Sequence, residues 1–113
     1  MKDLEILKLK SMLEEADIPF YYTDDMFGNG EEAYQIIVYV TKYGVRLDAV
    51  CNDGSYGSED GLLEIMGGLS ESEGEHDSVL GWLTAKEVFK RFKYCYENHT
   101  TIYREYDICE VVE

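Results

Sequence analysis

The sequence predicts an α+β domain: an antiparallel sheet of four to five strands, flanked by an N-terminal and a C-terminal helix on one face. Three observations carry this. Apolar residues recur at helical spacing near both ends of the chain, and through the middle they alternate with polar ones. The joins between the alternating segments are short and rich in Gly, Asn and Asp. Short joins make sequential strands antiparallel neighbours. At 113 residues the chain suffices for one core and shows no linker. Residues 1–113 are therefore read as a single α+β domain, with 100–113 a tail or an edge strand.

Residues 2–17 read as an amphipathic helix. Ile6, Leu9, Leu13 and Ala16 form its stripe with Met12 beside them, and Lys8, Lys10, Glu14 and Glu15 lie outside. Pro19 stops it, because the residue before a proline is pushed out of the α region. Phe20–Thr23 reads as a short strand, and Gly28-Asn29-Gly30 as a turn with positive φ angles. Ala33–Thr41 is the clearest strand: Tyr34, Ile36, Val38 and Val40 face one way, Gln35, Ile37, Tyr39 and Thr41 the other.

After the tight join Lys42-Tyr43-Gly44, Val45–Cys51 alternates again and reads as half-buried. Asn52-Asp53-Gly54 turns the chain, and Gly61–Met66 reads as a fourth strand. Gly67–Ser78 carries Glu71, Glu73, Glu75 and Asp77 with almost nothing apolar, and is expected to be an exposed, mobile loop. Val79–Leu83 is a short apolar strand. Thr84-Ala85-Lys86-Glu87 then fits a capping box, opening a helix to about Asn98 that buries Val88, Phe92 and Cys95, with Phe89 and Tyr96 beside them.

The charge is lopsided. Between Glu14 and Asp77 stand sixteen acidic residues against Lys42 and Arg46, which accounts for the whole net charge of −14. A field of one sign attracts cationic surfaces and repels nucleic acid and anionic lipid. No apolar run approaches the ~18–20 residues that span a bilayer, and the charged N-terminus does not read as a signal or transit peptide. Cys51, Cys95 and Cys109 are odd in number and share no short spacing, which suits reduced thiols in a cytoplasmic protein.

Familiar chemistries are poorly supported. Asn52–Asp60 lacks the alternating oxygen ligands and terminal Glu of an EF-hand, and the His and Cys residues are too scattered for zinc. Cys95 and His99 share a helical face, but Cys95 falls on the apolar stripe, so a buried, inert thiol is the favoured reading. Adjacent carboxylates such as Asp24-Asp25 or Glu59-Asp60 point apart on a strand, and no glycine-rich phosphate loop opens a helix. No catalytic residue, metal or cofactor is expected.

Binding is the better reading. Carboxylates spaced over a sheet can replace phosphates in a Lys/Arg channel. The candidates are Asp24, Asp25, Glu31, Glu32, Asp48, Asp53, Glu59 and Asp60, with Tyr39 and Tyr56 as aromatic anchors. Lys86, Lys90, Arg91 and Lys93 read as a solvated helical face.

The stretch Asp60-Gly61-Leu62-Leu63-Glu64-Ile65-Met66-Gly67, an acidic spacer, then Val79-Leu80-Gly81-Trp82-Leu83-Thr84-Ala85-Lys86-Glu87-Val88-Phe89 resembles small uncharacterised acidic proteins encoded by phages and prophages of Gram-positive bacteria. The likeness covers about residues 33–93 and brings no catalytic residues with it. It implies an anti-CRISPR-like accessory protein in the host bacterial cytoplasm. Its partner would be the basic surface of a host nucleic-acid-binding protein, with a CRISPR effector as the concrete case, and not nucleic acid or membrane. The alternative is a homo-oligomeric structural or regulatory phage protein, with a homodimer as its simplest form. An enzyme acting on a small substrate is a third reading.

Overall fold

The computed structural model describes residues 4–104. Helix α1 (Glu5–Glu15) leads into β1 (Tyr21–Thr23), β2 (Tyr34–Tyr39), β3 (Arg46–Cys51) and β4 (Leu63–Met66). Helix α2 (Glu71–His76), β5 (Val79–Leu83) and α3 (Ala85–Asn98) complete the order. The five strands form one antiparallel meander in sequence order, β1-β2-β3-β4-β5. The α+β class and both flanking helices are as the hydrophobic pattern predicts.

Register settles which side chains share a face. Ile36 pairs with Ala49 and Val38 with Leu47, while Ala49 pairs with Ile65 and Leu63 with Leu83. All of these are buried, and against them pack Ile6, Leu9 and Leu13 of α1 and Val88, Phe92 and Cys95 of α3. The opposite face carries Tyr21, Gln35, Ile37, Tyr39, Arg46, Asp48, Val50, Glu64 and Met66, because alternate residues point away from the helices.

Helix α1 is shorter than its apolar stripe suggests. Asp17 takes a left-handed φ of 58°, and the Ile18 amide donates back to the Leu13 carbonyl at 3.0 Å. The helix therefore closes before Pro19 can interrupt it. The box at α3 forms as expected: Thr84 Oγ1 accepts from the Glu87 amide at 3.3 Å, and Glu87 Oε1 accepts from the Thr84 amide at 2.9 Å.

The two helices also meet end to end. The Glu5 amide donates to the Gly61 carbonyl at 3.0 Å, and Glu5 Oε1 accepts from the Ala85 amide at 2.7 Å. A carboxylate in the first turn of α1 thus caps α3. Partial burial raises the pKa of Glu5, but the Ala85 amide and Lys8 outweigh it, and the net shift is downward. Both helices start at the end of the sheet where β3 turns into β4. Helix α3 ends at the other, where His99 Nδ1 lies 3.0 Å from the Val40 carbonyl.

The expectation of a mobile loop over 67–78 is corrected. Ser70 and Glu73 form a second capping box and open α2. Arg91 then fixes that helix to α3, donating to both carboxylate oxygens of Glu73 at 2.8 and 3.0 Å and to the Gly68 carbonyl at 2.9 Å. Arg91 is therefore no part of a free basic face. Residues 101–103 run beside 68–69, with Gly68 donating to Thr101 and Tyr103 to Leu69. That run does not extend the sheet, and 105–113 lie outside the described residues. Tyr103 is buried, flanked by Tyr94 in a T-shaped contact and by the Arg91 guanidinium 5.0 Å from its ring.

Phe92→Ala empties a fully buried site and is expected to cost about 3–5 kcal/mol, against about 1 kcal/mol for Thr84→Ala, both measured by urea unfolding. A near-neutral Phe92→Ala would contradict the inward face of α3. The Arg91 hydrogen bonds hold the Glu73 carboxyl down to about 2, against an ordinary 4.5. A depressed folded pKa gives stability that is complete above 4.5 and fades as pH falls from there towards 2. Glu73→Gln should therefore flatten the loss of stability over that window in a pH series of urea midpoints; an unchanged slope would rule the pair out as a contributor.

Candidate binding surface

In a meander, the β1–β2 and β3–β4 connections fall at the same end of the sheet. Here those connections, 24–33 and 52–62, hold seven of the eight candidate carboxylates: Asp24, Asp25, Glu31, Glu32, Asp53, Glu59 and Asp60. Neither contains Lys, Arg or His. The loops touch, with Asn52 Nδ2 at 3.5 Å from Met26 Sδ.

The seven carboxylates are not equivalent. Asp25 Oδ1 accepts from the amides of Asn29 and Gly30 at 3.1 and 3.2 Å, so it builds the turn on which its neighbours stand. Glu32 accepts from the Tyr34 hydroxyl at 2.6 Å, and that bond, with burial, pushes the Tyr34 phenol up to about 12. Among the described residues, the side chains of Asp24, Glu31, Asp53, Glu59 and Asp60 have no hydrogen-bond or ion-pair partner.

The picture of carboxylates spaced over the sheet is corrected here. The acidic residues ring one end of it, and Asp48 is the exception among the candidates. Asp48 sits mid-face, accepting from Gln35 Nε2 at 2.8 Å and pairing with Arg46 Nε at 3.3 Å. Its charge is already answered. The rest of that face is largely apolar, with Tyr21 67% exposed and set edge-on to Tyr39 at 5.7 Å, and Met66 55% exposed. Met26 and Phe27 fold over it and close a recess of about 330 Å³ above Gln35, Asp48 and Val50.

Tyr56 belongs with the acidic end, Tyr39 with the open face. The structure adds one residue that the candidate set lacks, Trp82. Its ring stacks on Tyr56, with centroids 5.1 Å apart and planes at 15°. The Tyr56 amide donates to Glu64 Oε1 at 2.9 Å, which orients that stretch of the loop. The sequence signal for Trp82 is the Gly81-Trp82 pair inside an apolar strand, since an interior glycine marks a bulge or a close approach of another backbone. Both occur: the β4–β5 register shifts between Leu63 and Ile65, and an added Cβ on Gly81 would lie 2.3 Å from the Tyr56 Cβ.

The candidate thiol–imidazole pair is drawn apart by the fold. Cys95 is buried, and burial pushes its thiol up to about 12, while the His99 ring turns to the Val40 carbonyl. Cys51 is also buried, and Cys109 lies outside the described residues. Among the described residues no three His, Cys, Asp or Glu side chains converge as metal ligands, and no helix is long and apolar enough to cross a membrane. No protein-family model, curated protein or solved structure matches the chain.

The role of Gly81 is open to a direct check. Gly81→Ala must drive Tyr56 and its loop away, so it is expected to separate the two rings and cost about 1–3 kcal/mol. Trp82 is the sole tryptophan, so a shift in its fluorescence reports the separation. Unchanged emission and unchanged stability would show that the strand absorbs the methyl group elsewhere.

Proposed function

We propose that this chain is a non-enzymatic binding protein that docks its acidic end on a basic surface of a nucleic-acid-handling protein. In its concrete form it is a phage accessory inhibitor, anti-CRISPR-like, that competes with nucleic acid for a host defence protein. The observation that carries the reading is the convergence of two loops bearing seven carboxylates and no basic residue at one end of the sheet. Carboxylates held on short loops offer a Lys/Arg channel the charge that phosphates would otherwise supply. Both helices also begin at this end, and the partial positive charge of helix N-termini lowers the cost of gathering carboxylates beside them.

The open sheet face favours a second reading, self-association, because Tyr21, Tyr39 and Met66 present apolar surface there. Edge-to-edge pairing is disfavoured: β1 is three residues long and β5 carries a register shift, both of which blunt a sheet edge.

The test is the salt and charge dependence of a complex with a nucleic-acid-binding protein captured from a bacterial lysate. Reversing Asp24, Glu31, Glu59 and Asp60 to Lys, with Asp25 and Glu32 spared because they shape the loop, is expected to slow association roughly tenfold or more. It should change dissociation less, because exposed charges act mainly by steering. DNA should compete with the complex, and rising salt should weaken it. Indifference to both salt and reversal would remove the acidic-end reading. Concentration-dependent self-association abolished by Tyr39→Asp would put the open face in its place.

A further inference from the structure

We propose that Trp82 and Tyr56, with Glu59 and Asp60 at their rim, form a socket for an arginine side chain projecting from the partner. This deepens the acidic-end reading above and rests on it for the partner's nature.

The ring pair is displayed at a structural cost. Trp82 has φ 56°, in the left-handed region that bulky side chains rarely adopt, yet 60% of the residue remains exposed. Tyr56 is 51% exposed. Burial therefore does not explain the geometry, and two glycines exist to permit it. Gly57, at φ 96°, lies so close that an added Cβ would meet the Trp82 Cα at 3.0 Å and its amide nitrogen at 3.1 Å. Gly81 leaves no room for a Cβ beside Tyr56. The Trp82 amide donates to the Tyr56 carbonyl at 3.2 Å and ties the two backbones together. A conformation that is strained and held by its surroundings, with large rings in water, is the pattern of a ligand-facing element.

What it faces is set by charge. The rings share a concavity of about 220 Å³ with Asp53, Glu59 and Asp60. Those three carboxylates have no side-chain partner among the described residues. Anionic ligands are repelled, and a neutral aromatic ligand would leave the carboxylates unanswered. Guanidinium meets both requirements: it is planar and weakly hydrated, extends an aromatic stack, and donates in a fork to carboxylates. The lysine ammonium is compact and strongly hydrated, and has neither the flat surface that stacks nor the fork that grips a carboxylate.

The probes are N-acetyl-arginine amide, N-acetyl-lysine amide and N-acetyl-citrulline amide, titrated into the full chain. Binding is followed by the fluorescence of Trp82 and by amide chemical shifts. The arginine compound is expected to give a saturable response with a Kd on the order of millimolar. Its shifts should be confined to the 56–60 loop and Trp82. Lysine should bind at least ~5-fold more weakly, and citrulline, isosteric but uncharged, not at all. Glu59→Gln with Asp60→Asn should weaken arginine binding by a similar factor. Trp82→Asn, which removes the ring and keeps a residue that accepts left-handed backbone, should abolish it by chemical shift. Equal affinity for lysine and arginine, a response that never saturates, or shifts centred elsewhere would each overturn the socket. These probes need no partner. Their failure beside a charge-dependent complex removes the socket alone, and their success beside a charge-indifferent complex removes the acidic-end reading alone.

Discussion

Ile36, Val38, Leu47, Ala49, Leu63 and Ile65 share one face of the sheet, and the burial of that face beneath α1 and α3 is the interaction on which the other features depend. A pleated strand has only two faces. Committing one to two helices leaves the other to solvent, and a meander in sequence order sends alternate connections to opposite ends. Helix α3 must then begin where β5 delivers the chain. Glu5 reaching across to the Ala85 amide joins both helix starts at that point. The acidic loops, the helix N-termini and the Trp82–Tyr56 stack are neighbours because of this single packing decision.

The acidic field is divided by the same arrangement. Half-buried Glu73 is held by Arg91, and Glu71 lies 3.5 Å from Arg104, so two of the α2 region's carboxylates are paired. Asp48 is answered by Arg46 and Gln35 on the open face. Five carboxylates without a partner among the described residues, Asp24, Glu31, Asp53, Glu59 and Asp60, gather on 24–32 and 53–60, a smaller and more directional feature than a net charge of −14 suggests. Concentrating like charges on loops limits their harm to the core, because water screens them there.

The two ways of meeting a partner are correspondingly separated. The open face, with Tyr21 against Tyr39 over a satisfied Arg46–Asp48 pair, offers apolar contact and few unmet charges. The acidic end offers charge with one aromatic platform set in it. Surfaces of these two kinds suit different partners, since the first gains from desolvation and the second from long-range attraction.

Much of this was legible one residue at a time. The stripe of α1, the alternation along β2 and β3, and the Thr84–Glu87 box are local patterns, set by helical and strand periods and by a reach of three residues. Ser70 and Glu73 carry the same box signal, but Arg91, eighteen positions away, is what fastens α2 in place. The acidic residues were visible as a run; their gathering at one end was not, because it depends on the parity of the meander and on Met26 meeting Asn52. Nor could Trp82 be placed. Periodicity assigns a residue in an apolar strand to one face or the other, whereas its backbone twist and its stack on Tyr56 come from a bulge and from two glycines brought together across twenty-four residues of chain. Local chemistry determined the elements and their inward faces. Tertiary contact decided which exposed groups became neighbours, since only the closing of the sheet under its helices brings distant loops within reach.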